Sequence, residues 1–205
     1  MNNQHISDKQ IRAFYSEDSI RVYQAYSDEI ADSAIEHNTF VSPPFKMSRM
    51  TWIKPSFLWM MYRAGWGHKD SKQKRILAID ITHQGFHWAL ENSCLSSAPA
   101  AHLNNEQWKA KITTSPVRIQ WDPERDIHLN KLPHRAIQIG LSGEAVELYT
   151  KQWIVNITDV TDIAQKIKNC IDYNLISDAT ALLPKETPYV ITNDLLAKSV
   201  GISNQ

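Results

Sequence analysis

The chain has 205 residues, 42% of them hydrophobic and 21% charged, with 22 basic and 22 acidic side chains. That length buries a core without help from disulfides or metals. The even charge excludes whole-chain attraction to nucleic acid or anionic membrane and leaves only a local basic patch for such a role.

In chain order, the polar N-terminal decapeptide MNNQHISDKQ lacks the apolar run of a secretory signal. SIRVYQAY (19–26) reads as a strand rich in β-branched and aromatic residues. SDEIADSAIEH follows as a helix with Ser27 at its N-cap, Asp28 and Glu29 in its first turn, and Ile30, Ala34 and Ile35 on its apolar face. A loop punctuated by Pro43-Pro44 leads to MTWIKPSFLWMMYRAGWG (50–67), which holds three of the seven tryptophans. This stretch predicts a helix with Pro55 in its first turn and Gly65 at its end, apolar nearly all round and hence buried. It is too short to span a bilayer.

KRILAIDIT (74–82) predicts a strand buried on both faces. GFHWALENSC and NNEQWKAKI read as helices. SPVRIQWDPERD alternates, with Val117, Ile119 and Trp121 on one face and Arg118, Gln120 and Asp122 on the other, and it ends in an Asp-Pro turn. IHLNKL pairs beside it. HRAIQIGL reads as a strand, SGEAVELYTKQ as a helix capped by Ser142, WIVNITDV as a strand, and TDIAQKIKNCID as a helix capped by Thr161. Strands and helices mix without regular βαβ alternation. The expectation is an α+β fold: one compact domain over 1–190, a mixed or antiparallel broken sheet flanked by helices, and a polar tail at 191–205. Cys94 and Cys170 form no motif, which points to a reducing, cytoplasmic compartment.

IRVYQAYSDEIADSAI, MTWIKPSFLWMMYRAGW, LAIDIT, SPVRIQWDPERD, AIQIGLSGEAV and WIVNITDVT together resemble the family of unknown function DUF4291, over roughly residues 10–190. That resemblance implies one compact domain and brings no catalytic residues with it. At the level of the fold, the order of elements is similar to ADP-ribosyltransferases. These bind NAD in a cleft, with an Arg or His on a first strand, Ser-Thr or Tyr on a middle strand, and a late Glu on the ribose. The resemblance implies Arg21 for the first element and Glu144 for the last as catalytic residues, with Thr82 the one candidate for the middle.

The residues themselves suggest where a ligand would lie. On a strand, Arg21 and Tyr23 share one face and Gln24 the other, so Arg21 can grip a phosphate while Tyr23 stacks on a ring. In the aromatic stretch, Trp52, Trp59 and Tyr62 form an aromatic wall with Lys54 and Arg63 as cationic corners, suited to a nucleotide. The bland alternative is a core helix whose Arg63 pairs with a carboxylate such as Asp80. Arg118 with Gln120, and His134-Arg135 with Gln138, are polar sets able to read a ligand. The charged run from Gln120 to Asp126 reads as a solvated turn.

His83 and His87 have the i, i+4 spacing of a zinc pair, but no Glu follows the first and both cysteines are distant, so no metal is expected. GLSGEAV lacks the glycine of a nucleophile elbow and the lysine of a P-loop. Three functions follow. The first is an NAD-dependent ADP-ribosyltransferase-like enzyme acting on a nucleic-acid or protein acceptor. The second is a nucleotide or single-stranded nucleic-acid binding module. The third is a structural or partner-binding domain.

Overall fold

The structure, a computed structural model, describes residues 8–98, 101 and 103–202. The first half runs β1 (Arg12–Ala13), β2 (Ser19–Tyr26), α1 (Asp28–His37), β3 (Thr51–Ile53), α2 (Phe57–Ala64), β4 (Arg75–Thr82), α3 (His83–Glu91) and β5 (Ser93–Leu95). The second half runs α4 (Asn105–Thr114), β6 (Val117–Arg125), β7 (Lys131–Leu141), α5 (Glu144–Leu148), β8 (Ile154–Asp159), α6 (Thr161–Asp172), α7 (Ile176–Leu182), β9 (Thr187–Pro188) and α8 (Asp194–Ser199). This is an α+β chain with mixed and antiparallel sheets.

A three-stranded sheet has the order β2-β4-β8 and a four-stranded sheet the order β3-β7-β6-β5; β1 pairs with β9. The two larger sheets touch where Tyr23 of β2 bridges Lys54, the residue after β3. β4 lies at the centre of its sheet, and its run from Ile76 to Ala78 and Ile79 is buried, as expected of an uninterrupted apolar strand. One core fills the space between the sheets, with Ile20, Val22, Leu77, Ile79 and Ile81 against Ile53, Val117, Ile119, Ile137 and Ile139. On the other side of β4, Met60, Met61 and Ala64 of α2 pack with Tyr23, Ala78, Ala164, Ile167 and Ala179.

Local chemistry sets the helix ends. The Ser56 hydroxyl accepts Trp59 N–H at 3.2 Å and starts α2. Gly65, at φ 56°, stops it by donating its N–H to the Met61 carbonyl. Asn104 and Gln107 form a reciprocal capping box on α4.

Several expectations are corrected. Thr51–Ile53 is a strand, so Pro55 precedes the helix and Ser56 caps it. In α1, Ala31 and Ala34 are the buried residues and Ile35 is exposed. The Asp-Pro pair makes no turn: β6 runs through it to Arg125, with a register shift between Pro123 and Arg125. The shift sets Leu132, Pro133 and His134 of β7 against Glu124 alone, so the extra residues lie on β7, and both Glu124 and Arg125 are buried there. The chain reverses instead at 126–130, where Asp126 Oδ1 accepts both His128 and Asn130 N–H. Ser142 donates to the Pro116 carbonyl rather than capping α5, whose N-cap is Gly143. Thr161 accepts Ile76 N–H, and Val160 stands at the N-cap of α6. Residues 194–199 form α8, whose Leu196 and Ala197 join the main core; Trp121 Nε1 donates to the Val200 carbonyl at 2.7 Å. Among the described residues, no helix is long and apolar enough to cross a membrane.

Candidate functional site

One face of β6 packs the core with Val117 and Ile119. The opposite face carries Arg118, Gln120, Asp122 and Glu124. The register extends this polar face across the sheet. Arg118 lies opposite Gly140 and Gly140 opposite Trp52; Gln120 lies opposite Gln138, and Lys54 follows Trp52 by two residues on the same side. The ring of Trp52 rests on Gly140, where an added Cβ would come within 2.9 Å of Trp52 Cζ2. Glycine permits that approach.

Asp122 is held by amides, taking Gln138 Nε2 at 2.6 Å and Gln120 Nε2 at 3.1 Å. It therefore does not close an ion pair on Lys54. Lys54 is 7% exposed. Its ammonium has one hydrogen bond, to the Trp52 carbonyl at 3.2 Å, and no ion pair among the described residues. Burial, with the Arg63 charge added and Asp122 opposing, pushes the amine down to about 7. A buried lysine without a carboxylate is costly and uncommon. The Arg118 side chain makes no hydrogen bond among the described residues, and its Nε is buried.

At the far end of this face Glu124 is buried beneath the start of α2. Its Oε1 accepts the Ser56 hydroxyl at 2.9 Å and Arg125 N–H at 2.8 Å; Oε2 takes none among the described residues. Burial raises the carboxyl, and those two bonds with Arg12 and Arg125 act against it. Beside it, Glu186 Oε1 accepts Phe57 N–H at 2.7 Å, and burial is the main reason its carboxyl is pushed up to about 8. The Arg125 guanidinium lies 3.6 Å from the centre of the Tyr62 ring and 5.6 Å from that of Trp59. Two further buried polar atoms here lack hydrogen-bond partners among the described residues, Arg125 Nε and Trp59 Nε1. Polar atoms left unpaired inside a fold commonly mark a place where a ligand or water completes the bonding.

The residues singled out in the sequence divide. Trp52 and Lys54 lie on the polar face. Arg63 and Tyr62 are exposed at its rim on α2, and Trp59 is buried behind Tyr62, stacked at 5.2 Å. Arg21 is elsewhere: both forks of its guanidinium bind Asp80, at 2.8 and 2.9 Å, with Phe14 beneath it. Tyr23 is buried edge-on against Phe57 and presents no face to stack on. Gln24 ties the sheets together, accepting the Tyr149 hydroxyl at 2.8 Å and donating to Thr51 Oγ1 at 2.6 Å. Thr82 caps α3 by accepting Gly85 N–H. Glu144 is exposed just past Leu141, which pairs with Val117; Glu124 is seven residues further along β6, roughly 20 Å away.

His83 and His87 do share a helix face, but they meet on a phenol: His83 Nδ1 and His87 Nε2 each lie 2.9 Å from Tyr189 Oη. His83 Nε2 faces the Ser16 carbonyl, so it is a donor, and its Nδ1 in the neutral ring accepts the Tyr189 O–H. This clasp fixes the segment that carries Glu186. No group of three or more metal-ligating side chains occurs among the described residues. An open depression of about 350 Å³ lies by the core-side face of β6, between Trp121, Ser96 and Arg135. Arg135 is already engaged there by Asp8 and the Trp121 carbonyl.

Ser56, Glu186 and Arg12 were missing from the sequence-based set, and Glu124 was set aside as part of a solvated turn. The signal that could have found Glu124 is the polar alternation Arg118, Gln120, Asp122, Glu124, which runs straight through Pro123. Nothing local marks Glu186, whose partner Phe57 is 129 residues away. Residues 10–189 match the family described as Domain of unknown function (DUF4291). No curated protein matches the chain.

Proposed function

We propose that this chain, which belongs to the DUF4291 family, binds NAD along the polar face of the four-stranded sheet and transfers ADP-ribose from it. The observation that carries the reading is Ser56 holding a buried Glu124 carboxylate at 2.9 Å, on the same face as two cations, Lys54 and Arg118, that no carboxylate pairs among the described residues. The broken sheet, joined at Tyr23 and Lys54, agrees with the plan that the ADP-ribosyltransferase resemblance implies. The roles fall on other residues than the sequence suggested. Lys54 and Arg118 take the pyrophosphate in place of Arg21. Ser56 stands for the middle-strand hydroxyl in place of Thr82. Glu124 faces the nicotinamide ribose in place of Glu144. Trp52 and Tyr62 offer rings at the two ends, and Arg63 adds charge at the rim.

The chemistry follows from that placement. The ribose C1′–N bond breaks, and its electron pair leaves with nicotinamide, neutralising the pyridinium. Positive charge develops on C1′ and the ring oxygen, and the Glu124 carboxylate stabilises it as carboxylates do in glycoside transfer. Ser56 fixes the carboxylate's orientation. The acceptor, in a protein or nucleic acid, then bonds to C1′. Nicotinamide release from NAD by the pure protein tests the reading. Release together with calorimetric NAD binding supports it, and absence of both removes it.

Gly140→Ala probes the face without touching a charge. The new Cβ falls 2.9 Å from Met50 Sδ and from Trp52 Cζ2, both at the ends of movable side chains. The sheet is expected to hold, with a loss of about 1–3 kcal/mol. Trp52 tilts, and tryptophan quenching by NAD weakens. Unchanged quenching would place NAD away from Trp52.

A further inference from the structure

Glu186 has no part in holding NAD in the arrangement proposed above, yet it is built into the same place. Ser56 and Phe57 are consecutive, and each holds a carboxylate: the Ser56 hydroxyl holds Glu124 and Phe57 N–H holds Glu186. Neither carboxylate is in an ion pair among the described residues. The groups that face Glu186 come from four elements: Glu124 from β6, Arg12 from β1, Tyr23 from β2, and the Phe57 amide from α2. The Tyr23 hydroxyl is buried there and meets no hydrogen-bond partner within bonding geometry among the described residues. Arg12 donates to the Glu186 backbone carbonyl at 3.0 Å and so fixes the segment without pairing the carboxylate. The Tyr189 clasp holds the same segment from the other side.

Resting on the NAD reading above, we infer that Glu186 is the base that accepts the acceptor's proton, so the acceptor's nucleophile is a hydroxyl or amine rather than a carboxylate or thiolate. A carboxylate or thiolate attacks C1′ with no proton to lose and has no use for a second carboxylate. With a hydroxyl, the oxygen lone pair forms the bond to C1′ as the C1′–N bond breaks. The hydroxyl proton passes to Glu186, and neutral nicotinamide departs. Water is the simplest such acceptor. Burial and the neighbouring Glu124 charge keep the Glu186 carboxyl basic, matched to a proton taken near neutral pH.

The test is nicotinamide release from NAD, with water as acceptor, in the wild type, Glu186→Gln and Glu124→Gln. The amide oxygen introduced by Glu186→Gln can still accept Phe57 N–H, so NAD binding by calorimetry is expected to stay within about threefold of wild type, well under the loss that a missing base produces. Release to water falls by about 10²–10⁴-fold. Azide, a nucleophile with no proton to lose, restores release in Glu186→Gln but not in Glu124→Gln. Wild-type release rises with pH through about 8, the range to which the carboxyl is pushed, and that rise disappears in Glu186→Gln. An active wild type whose Glu186→Gln variant matches it, or is not rescued by azide, overturns the base. A wild type that binds NAD yet releases no nicotinamide to water or azide overturns the base, and one that also fails to bind NAD overturns the NAD reading with it.

Discussion

Glu124→Gln is expected to leave NAD bound and to cut nicotinamide release by about 10²–10³-fold. The substitution keeps the shape of the side chain. Its amide oxygen can still accept the Ser56 hydroxyl and Arg125 N–H, the two bonds that Glu124 Oε1 takes. That fixes which way the amide points: its NH₂ replaces Oε2 and faces the ligand. A negative group opposite the developing charge on the ribose becomes a donor with a partial positive charge, so the transition state loses far more than the ground state. Folding changes in the other direction. A buried carboxyl whose affinity for protons is raised in the fold gives up stability as pH rises above the unfolded-state value of 4.5. The Gln variant is therefore expected to be at least as stable as wild type at pH 7, as urea unfolding would measure. A drop in activity cannot then be assigned to unfolding. Ser56→Ala gives a milder version, losing the hydroxyl that orients Glu124 and about 1 kcal/mol of helix capping.

The second large effect belongs to Lys54, where stability and binding should move in opposite directions. The amine is pushed down from 10.5 to about 7. Between those values the unfolded chain binds a proton that the folded chain does not, so stability rises with pH across that window. At or below pH 7 the full cost of burying the charge is present. Lys54→Met removes it and is expected to raise stability at pH 7 by roughly 2–4 kcal/mol, with the gain fading toward pH 10.5. The same variant loses the cation facing the pyrophosphate, and NAD affinity falls by about 100-fold. Phosphate next to the amine favours its charged form. Binding by wild type at pH 8 should therefore take up a proton, seen as a dependence of the calorimetric heat on the buffer's ionisation enthalpy. Lys54→Met should show no such dependence. A Lys54→Met variant that is less stable than wild type at pH 7 would mean that the lysine has a partner and is not waiting for one.

Where local chemistry decides conformation, the sequence was readable. SIRVYQAY and RILAIDIT became β2 and β4 because their β-branched runs leave no helical stripe. Gly65 ends α2 as expected, by a capping rule that acts within four residues, whereas the N-cap is Ser56, one residue past the Pro55 expected in the first turn. The site was legible only in part. Lys54 and Trp52, singled out because a lysine amid tryptophans has no easy burial, do lie together on the polar face. Arg21 looked equally suitable, but Asp80, directly opposite in the strand register, takes both of its forks. Glu144 and Glu124 are equivalent as letters in the chain. What separates them is the start of α2, whose Ser56 covers one of them, and a turn at Gly143 that leaves the other in solvent. Glu186 and the His83–Tyr189–His87 clasp depend on contacts across about a hundred residues, which no local pattern encodes.

One measurement reads the central claim most directly: nicotinamide released from NAD by wild type, Glu124→Gln and Glu144→Gln, side by side, with NAD binding measured for each. The expected result is release by wild type and Glu144→Gln and its loss in Glu124→Gln, with all three binding NAD. Release that survives in Glu124→Gln, or a wild type that neither binds NAD nor frees nicotinamide, would contradict it.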